Sequence, residues 1–132
     1  MKSREPLLRA KRFQIDDARR RLAQIDAMIA EFERMAQDLN RDIQAEEQRS
    51  GMSDPKHFAY PPLAAAARTR RENLLRSAAE LKVQREEASG ALADAEADLA
   101  LAQTAGELER VGKAESGSAR RAHWRSQDIA RA

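Results

Sequence analysis

Residues 8–43 read LRAKRFQIDDARRRLAQIDAMIAEFERMAQDLNRDI. Within this stretch Leu8, Lys11, Ile15, Ala18, Leu22, Ile25, Ile29, Phe32, Ala36, Leu39 and Ile43 fall alternately three and four residues apart. That is the a/d spacing of a coiled coil, and only Lys11 breaks the apolar rule. A stripe two positions wide is too narrow to face a globular core. The helix therefore needs another helix, and a mechanical or adhesive role is expected rather than a catalytic one.

A second ladder follows, weaker and richer in alanine: Ala64, Ala67, Arg71, Leu74, Ala78, Leu81, Arg85, Ala88, Leu92, Ala95, Leu99 and Ala102. Between the two lies Met52-Ser-Asp-Pro-Lys-His-Phe-Ala-Tyr-Pro-Pro62, whose prolines at 55, 61 and 62 forbid a continuous helix. The sequence thus predicts an all-α fold, a long antiparallel two-helix coiled-coil hairpin. Helix 1 is expected over about 7–49, the turn over 50–62 and helix 2 over about 63–111, with Gly90 marking a bend. Gly112–Ser118 reads as a linker, and 112–132 as a flexible basic tail. Asp54 before Pro55 suits an Asx turn, and Phe58 and Tyr60 are expected to pack on the helix ends.

The ladders fit in the register where paired residue numbers sum to 110. Ile15 then faces Ala95, Leu22 faces Ala88, Ile29 faces Leu81, Phe32 faces Ala78, and Ala36 faces Leu74. In every one of these pairs except Ile29–Leu81 a large side chain meets a small one, which fills space without voids. Arg71 and Arg85 are expected to lay their stems on the seam and send their guanidinium groups to water. Such a hairpin is about 60 Å long, from about 42 residues at 1.5 Å each.

The 132-residue chain carries 35% charged and 4% aromatic residues and a formal charge of +2. That is the composition of long helices. The net charge hides alternating blocks. Residues 1–21 hold eight basic and three acidic side chains, net +5, and residues 90–109 hold five acidic and no basic ones, net −5. The antiparallel register juxtaposes these two blocks. The absence of cysteine excludes disulfides and thiolate metal sites and fits a reducing compartment. With neither a long apolar run nor a signal-peptide core, a soluble cytoplasmic protein is expected.

The catalytic residue types are sparse. His57 and His123 stand alone, no ligand cluster has zinc spacing, and the glycines lack phosphate-loop spacing. No enzyme activity, cofactor, metal or small-molecule substrate is expected. His57 reads as a polar turn residue near Phe58. Several features point to protein partners instead. Arg19, Arg20 and Arg21 form a basic run suited to an anionic partner or to a solvated face. Arg68, Arg70 and Arg71 read as a face answering the acidic 90–109 block. Met28 and Met35 flank the first ladder and suit adaptable contacts. Ala97, Leu101, Thr104, Leu108 and Val111 form a second lane on helix 2 that helix 1 cannot also cover, so Leu101 and Leu108 are expected to meet a partner at the open end of the hairpin. With the turn aromatics Phe58 and Tyr60, these are the candidate partner-binding residues. Trp124 within Arg120-Arg-Ala-His-Trp-Arg125 reads as part of a basic tail.

These residues resemble the flagellar export protein FliJ family in its alphaproteobacterial form. The resemblance lies in Met1-Lys-Ser-Arg-Glu5 with Leu8 and Lys11-Arg-Phe-Gln14, in Ile29-Ala-Glu-Phe-Glu-Arg-Met-Ala36, in Asp54-Pro-Lys-His-Phe-Ala-Tyr-Pro61, in Arg70-Arg-Glu-Asn-Leu74 and in Arg76-Ser-Ala-Ala-Glu-Leu81. It covers roughly residues 1–90, and the turn is its most specific part. It implies a two-helix coiled coil similar to the central stalk of rotary ATPases, working in the flagellar type III export apparatus. The implied partners are the hexameric export ATPase, the membrane-embedded export gate and the export chaperones, with the protein cytoplasmic and peripheral to the inner membrane at the flagellar base. Flagellum assembly, motility and chemotaxis would depend on it. The resemblance further implies that the chain termini, here residues near 1–21 and 90–111, enter the ATPase ring. Beyond about residue 100 the family would continue as a longer charged helix, whereas this chain is punctuated by glycine. A coiled-coil adaptor or a transcription or nucleic-acid-associated hairpin is the alternative. That role would want acidic residues at the tip, where Asp54 is accompanied by Lys56 and His57, and nucleic acid is not an expected partner.

Overall fold

The computed structural model describes the backbone of residues 4–131 and the side chains of residues 4–117. Two helices make up the described chain, α1 (Arg4–Ser50) and α2 (Pro62–Arg131). The fold is an all-α helical hairpin. Asp17–Ala91 forms one compact unit, and Met1–Asp16 with Leu92–Ala132 forms the other.

Local chemistry sets the helix ends. Pro6 lies in the first turn of α1, where backbone N–H groups have no intrahelical partner to lose. Gly51 ends α1 with φ +71°, and its N–H donates to the Glu47 carbonyl at 2.9 Å. This is the αL termination that favours glycine. Pro61 then supplies the first carbonyl of α2, accepting from Ala65 N–H at 3.0 Å, and Pro62 takes the first helical position.

In the unit Asp17–Ala91 every expected seam residue is withdrawn from solvent. Ile25, Ile29, Ala36 and Ile43 of α1 are buried, as are Ala64, Ala67, Ala78, Leu81 and Ala88 of α2. Ile25, Ile29, Leu81 and Ala88 form a cluster with Leu22 and Phe32 packed on it. The cross-helix polar pairs report the register. Asn40 and Arg71 meet at 2.6 Å, Asp26 pairs with Arg85, and their numbers sum to 111 in both cases. In the other unit Ile15 is buried, and Lys11 pairs with Asp98 at a sum of 109. Lys11, the one polar member of the first ladder, is thus satisfied across the seam.

One side chain and one helix boundary differ from the sequence expectation. Phe58 is 96% exposed and packs on neither helix end; its ring stacks only on His57, centroids 4.6 Å apart. Tyr60 occupies the packing position instead and is buried. Helix α2 also continues past residue 111, through Gly112 and Gly117, to Arg131. No proline interrupts this segment, and its alanines, arginines and glutamate are strong helix formers that outweigh two separated glycines. The expected basic cluster with Trp124 lies outside the residues whose side chains are described.

Gly90 sits within α2 with nothing within 4 Å of where a Cβ would stand. Gly90→Ala should therefore stabilise the chain by about 1 kcal/mol, the helix-propensity difference, read as a raised thermal midpoint. At Gly106 a Cβ would stand 3.1 Å from the Arg4 guanidinium, so Gly106→Ala should return less.

Candidate partner-binding surfaces

Heptad position decides what each edge of the hairpin offers. In the unit Asp17–Ala91, the α1 residues on one edge of the seam are Asp26, Glu33, Asn40 and Glu47, spaced by seven. Each is held by α2: Asp26 by Arg85, Glu33 by Lys82 at 2.8 Å, Asn40 by Arg71, and Glu47 by Arg68 at 3.7 Å. Individually such pairs contribute little. Together they close this edge with complementary polar groups. The bond to Asp26 is the leading cause that raises the Arg85 pKa above its ordinary value.

The turn anchors to the same edge. The Tyr60 hydroxyl donates to Glu47 Oε1 at 2.7 Å. Asp54 accepts from Lys56 N–H at 3.0 Å, the Asx turn expected there. Ala59 N–H donates to His57 Nδ1 at 3.0 Å, and Tyr60 N–H to the His57 carbonyl at 3.1 Å. Burial first, then the bond to Glu47, pushes the Tyr60 hydroxyl above the usual tyrosine range. A raised folded value means that the neutral hydroxyl is favoured in the folded state. Its contribution is intact below about pH 10 and is lost as pH rises through the folded value. Thermal midpoints measured from pH 8 upward, roughly to pH 11, should fall more steeply for the native chain than for Tyr60→Phe. Equal slopes would mean that the hydroxyl is not held.

The opposite edge of the same unit carries Arg21, Met28, Met35 and Asp42, again spaced by seven. No cross-helix ladder closes it. A groove of about 540 Å³ opens there between Phe32, Met35, Asp38 and Leu39 of α1 and Arg70, Asn73, Leu74 and Ser77 of α2. It continues past Leu39 and Asp42 to Leu63 and Ala66. Met35 is 40% exposed, and Met28 and Leu63 are more so. Arg70 stands on the rim. Its expected companions Arg68 and Arg71 do not share that face, since they hold Glu47 and Asn40 on the closed edge; those residues of α1, rather than the acidic 90–109 block, answer them.

Arg19, Arg20 and Arg21 are all exposed. Successive helical residues point about 100° apart, so the three spread around α1 rather than form one patch. Arg21 lines a shallow groove with Gln84 and Glu87, and Arg19 has a polar or ionic contact of its own.

In the other unit, Arg4 pairs with Glu109 and its Nη1 donates to the Ala102 carbonyl at 3.5 Å beside Gly106. These contacts and Lys11–Asp98 realise the expected meeting of the basic and acidic blocks. Ala97, Leu101, Thr104, Leu108 and Val111 are all exposed, Leu101 to 70% and Leu108 to 68%. The second lane is left uncovered by α1. Among the described residues no helix is long and apolar enough to cross a membrane, and no group of three or more acidic or histidine side chains could hold a metal ion.

Comparison with models of known protein families, with characterised proteins and with solved structures finds no match to this chain. Any assignment therefore rests on the residues and surfaces themselves. Sequence reasoning placed Met28, Met35, Leu101 and Leu108 outside the seam, where the structure has them. It missed the distinction between the two edges. The seven-residue spacing of Asp26, Glu33, Asn40 and Glu47 was the available signal.

Proposed function

We propose that this chain is a non-enzymatic component of the bacterial flagellar type III export apparatus. It is a coiled-coil stalk that couples to the export ATPase, contacts the export gate and escorts export chaperones. It acts at the cytoplasmic face of the inner membrane, and flagellum assembly, motility and chemotaxis depend on it. The reading is supported by the resemblance of residues 1–90 to the FliJ family, above all in the turn Asp54-Pro-Lys-His-Phe-Ala-Tyr-Pro61.

The observation that carries it is the uncovered lane Leu101, Leu108 and Val111. The ladder positions Leu8–Ile43 of α1 and Ala64–Ala102 of α2 are buried or partly buried within the chain, yet α2 keeps a second apolar line beyond Ala95. A coiled coil that already has its partner helix uses such a line to meet another protein. Helical backbone hydrogen bonds are internal along α1 and α2, so paired helices transmit position or torque without any catalytic residue.

The test is co-purification with the hexameric export ATPase from the same organism and a change in its turnover on adding this chain. Leu101→Asp with Leu108→Asp should abolish both while leaving the helix content unchanged. Binding that survives the double substitution removes the lane from the account. Failure of the native chain to bind the ATPase removes the export reading, and a steep salt-dependent affinity for DNA would favour the nucleic-acid alternative.

A further inference from the structure

The structure assigns the open groove of the unit Asp17–Ala91 to a second copy of this chain. This inference does not depend on the export reading. The groove is apolar at its floor, with Phe32, Leu39 and Leu74, and Met35 stands at its edge. The α1 rim carries Asp38, Asp42 and Glu46 with Arg49, and Arg70 stands on the α2 rim. Asp38 is already paired with Arg34 at 3.3 Å and Arg41 at 3.8 Å on its own helix, which leaves Asp42 as the acidic group facing outward. Among the described residues Arg70 makes no ion pair, whereas the neighbouring Arg68 and Arg71 are engaged across the closed edge.

That polarity selects one arrangement. Consider two copies facing each other groove to groove. A two-fold axis across the helices at the middle of the groove would lay α1 on α1 and α2 on α2, setting Asp38 against Asp42 and Arg70 beside Arg70. A two-fold axis along the helices lays α1 of each copy on α2 of the other. Positions that oppose each other within one chain then stay at the same height between chains, because the axis preserves height along the helix. Asp42 meets Arg70 of the second copy, with Asp38 and its own arginine partners alongside, and Arg21 comes near Glu87 of the second copy.

Packing favours the same choice. Met35 lands over Asn73 and Ser77 of the second copy, so large again meets small. The juxtaposition of Glu31 with Glu80 of the second copy is softened because Glu31 is already paired with Arg34 at 2.5 Å. The closed edge, with Asp26–Arg85 and Glu33–Lys82, offers no comparable surface. An isologous interface of this kind is self-complementary by construction.

The experiment uses the full chain. Sedimentation equilibrium should give twice the chain mass of 14.8 kDa at high concentration. Met35→Glu should raise the dissociation constant at least about tenfold while leaving circular dichroism and the thermal midpoint of the dilute monomer unchanged. Orientation is read from cysteines, since the native chain has none. Chains carrying Asp38→Cys mixed with chains carrying Arg70→Cys should form the mixed disulfide in preference to either homodisulfide. A chain that stays monomeric up to its solubility limit overturns the proposal. So does dimerisation that Met35→Glu leaves intact, or a predominance of the 38–38 crosslink.

Discussion

Replacing Ile29 with alanine should destabilise the chain by about 3 kcal/mol, the range for removing a buried branched side chain. Ile29 is buried in the cluster it forms with Ile25, Leu81 and Ala88. The residue across the seam in the observed register is Leu81, whose backbone is held by its own helix and cannot move in to fill the space. There is no third layer to compensate, because each helix has only one partner helix within the chain. Domains of this size are stable by only about 5–15 kcal/mol, so the loss is a large fraction of the whole. Urea unfolding followed by circular dichroism measures it. Val83→Ala, at an exposed position of the same helix pair, should shift stability by less than about 0.5 kcal/mol. Equal effects at the two positions would mean that α1 and α2 do not share the seam described.

Ala78→Leu should cost about 1–3 kcal/mol through overpacking, and Phe32→Ala on the opposite arm should cost about 2–3 kcal/mol, at or below the lower end for a fully buried ring because Phe32 is only partly buried. The informative variant combines them. Ala78 is 2% exposed, and the register sets it across from Phe32. Exchanging which helix carries the bulk restores the total volume at that layer. The double variant should therefore be more stable than the sum of the single losses predicts, with a coupling of at least about 1 kcal/mol. A coupling near zero would place the two residues in different layers.

Much of the fold was legible because it depends on short-range rules. The three-four spacing names the seam, the proline-rich turn names the reversal, and the alternation of bulky residues with alanine names the register. Lys11 looked like an error in the ladder and is explained by Asp98, a residue that the register already placed near it. What was not legible depends on how a few side chains share a site. Phe58 and Tyr60 are both aromatic and stand two residues apart in the turn. Only Tyr60 has a hydroxyl to place on Glu47, so it takes the buried position and Phe58 points away. Glycine density suggested a helix end near 112, but separated glycines lower helix propensity without removing a hydrogen bond, and α2 runs on. The open and closed edges were hidden for another reason. Ladder reading follows the two seam positions and ignores the flanking ones, where Glu33 and Met35 differ most.

The direct test of the antiparallel pairing is the distance between spin labels at Gln37 and Glu72, both exposed and on opposite helices of one unit. A small labelled fraction in excess unlabelled chain keeps the measurement within one molecule. Helix axes about 10 Å apart predict a narrow distribution centred below about 30 Å. A distribution beyond about 50 Å, the span of the intervening residues as one continuous helix, would contradict it.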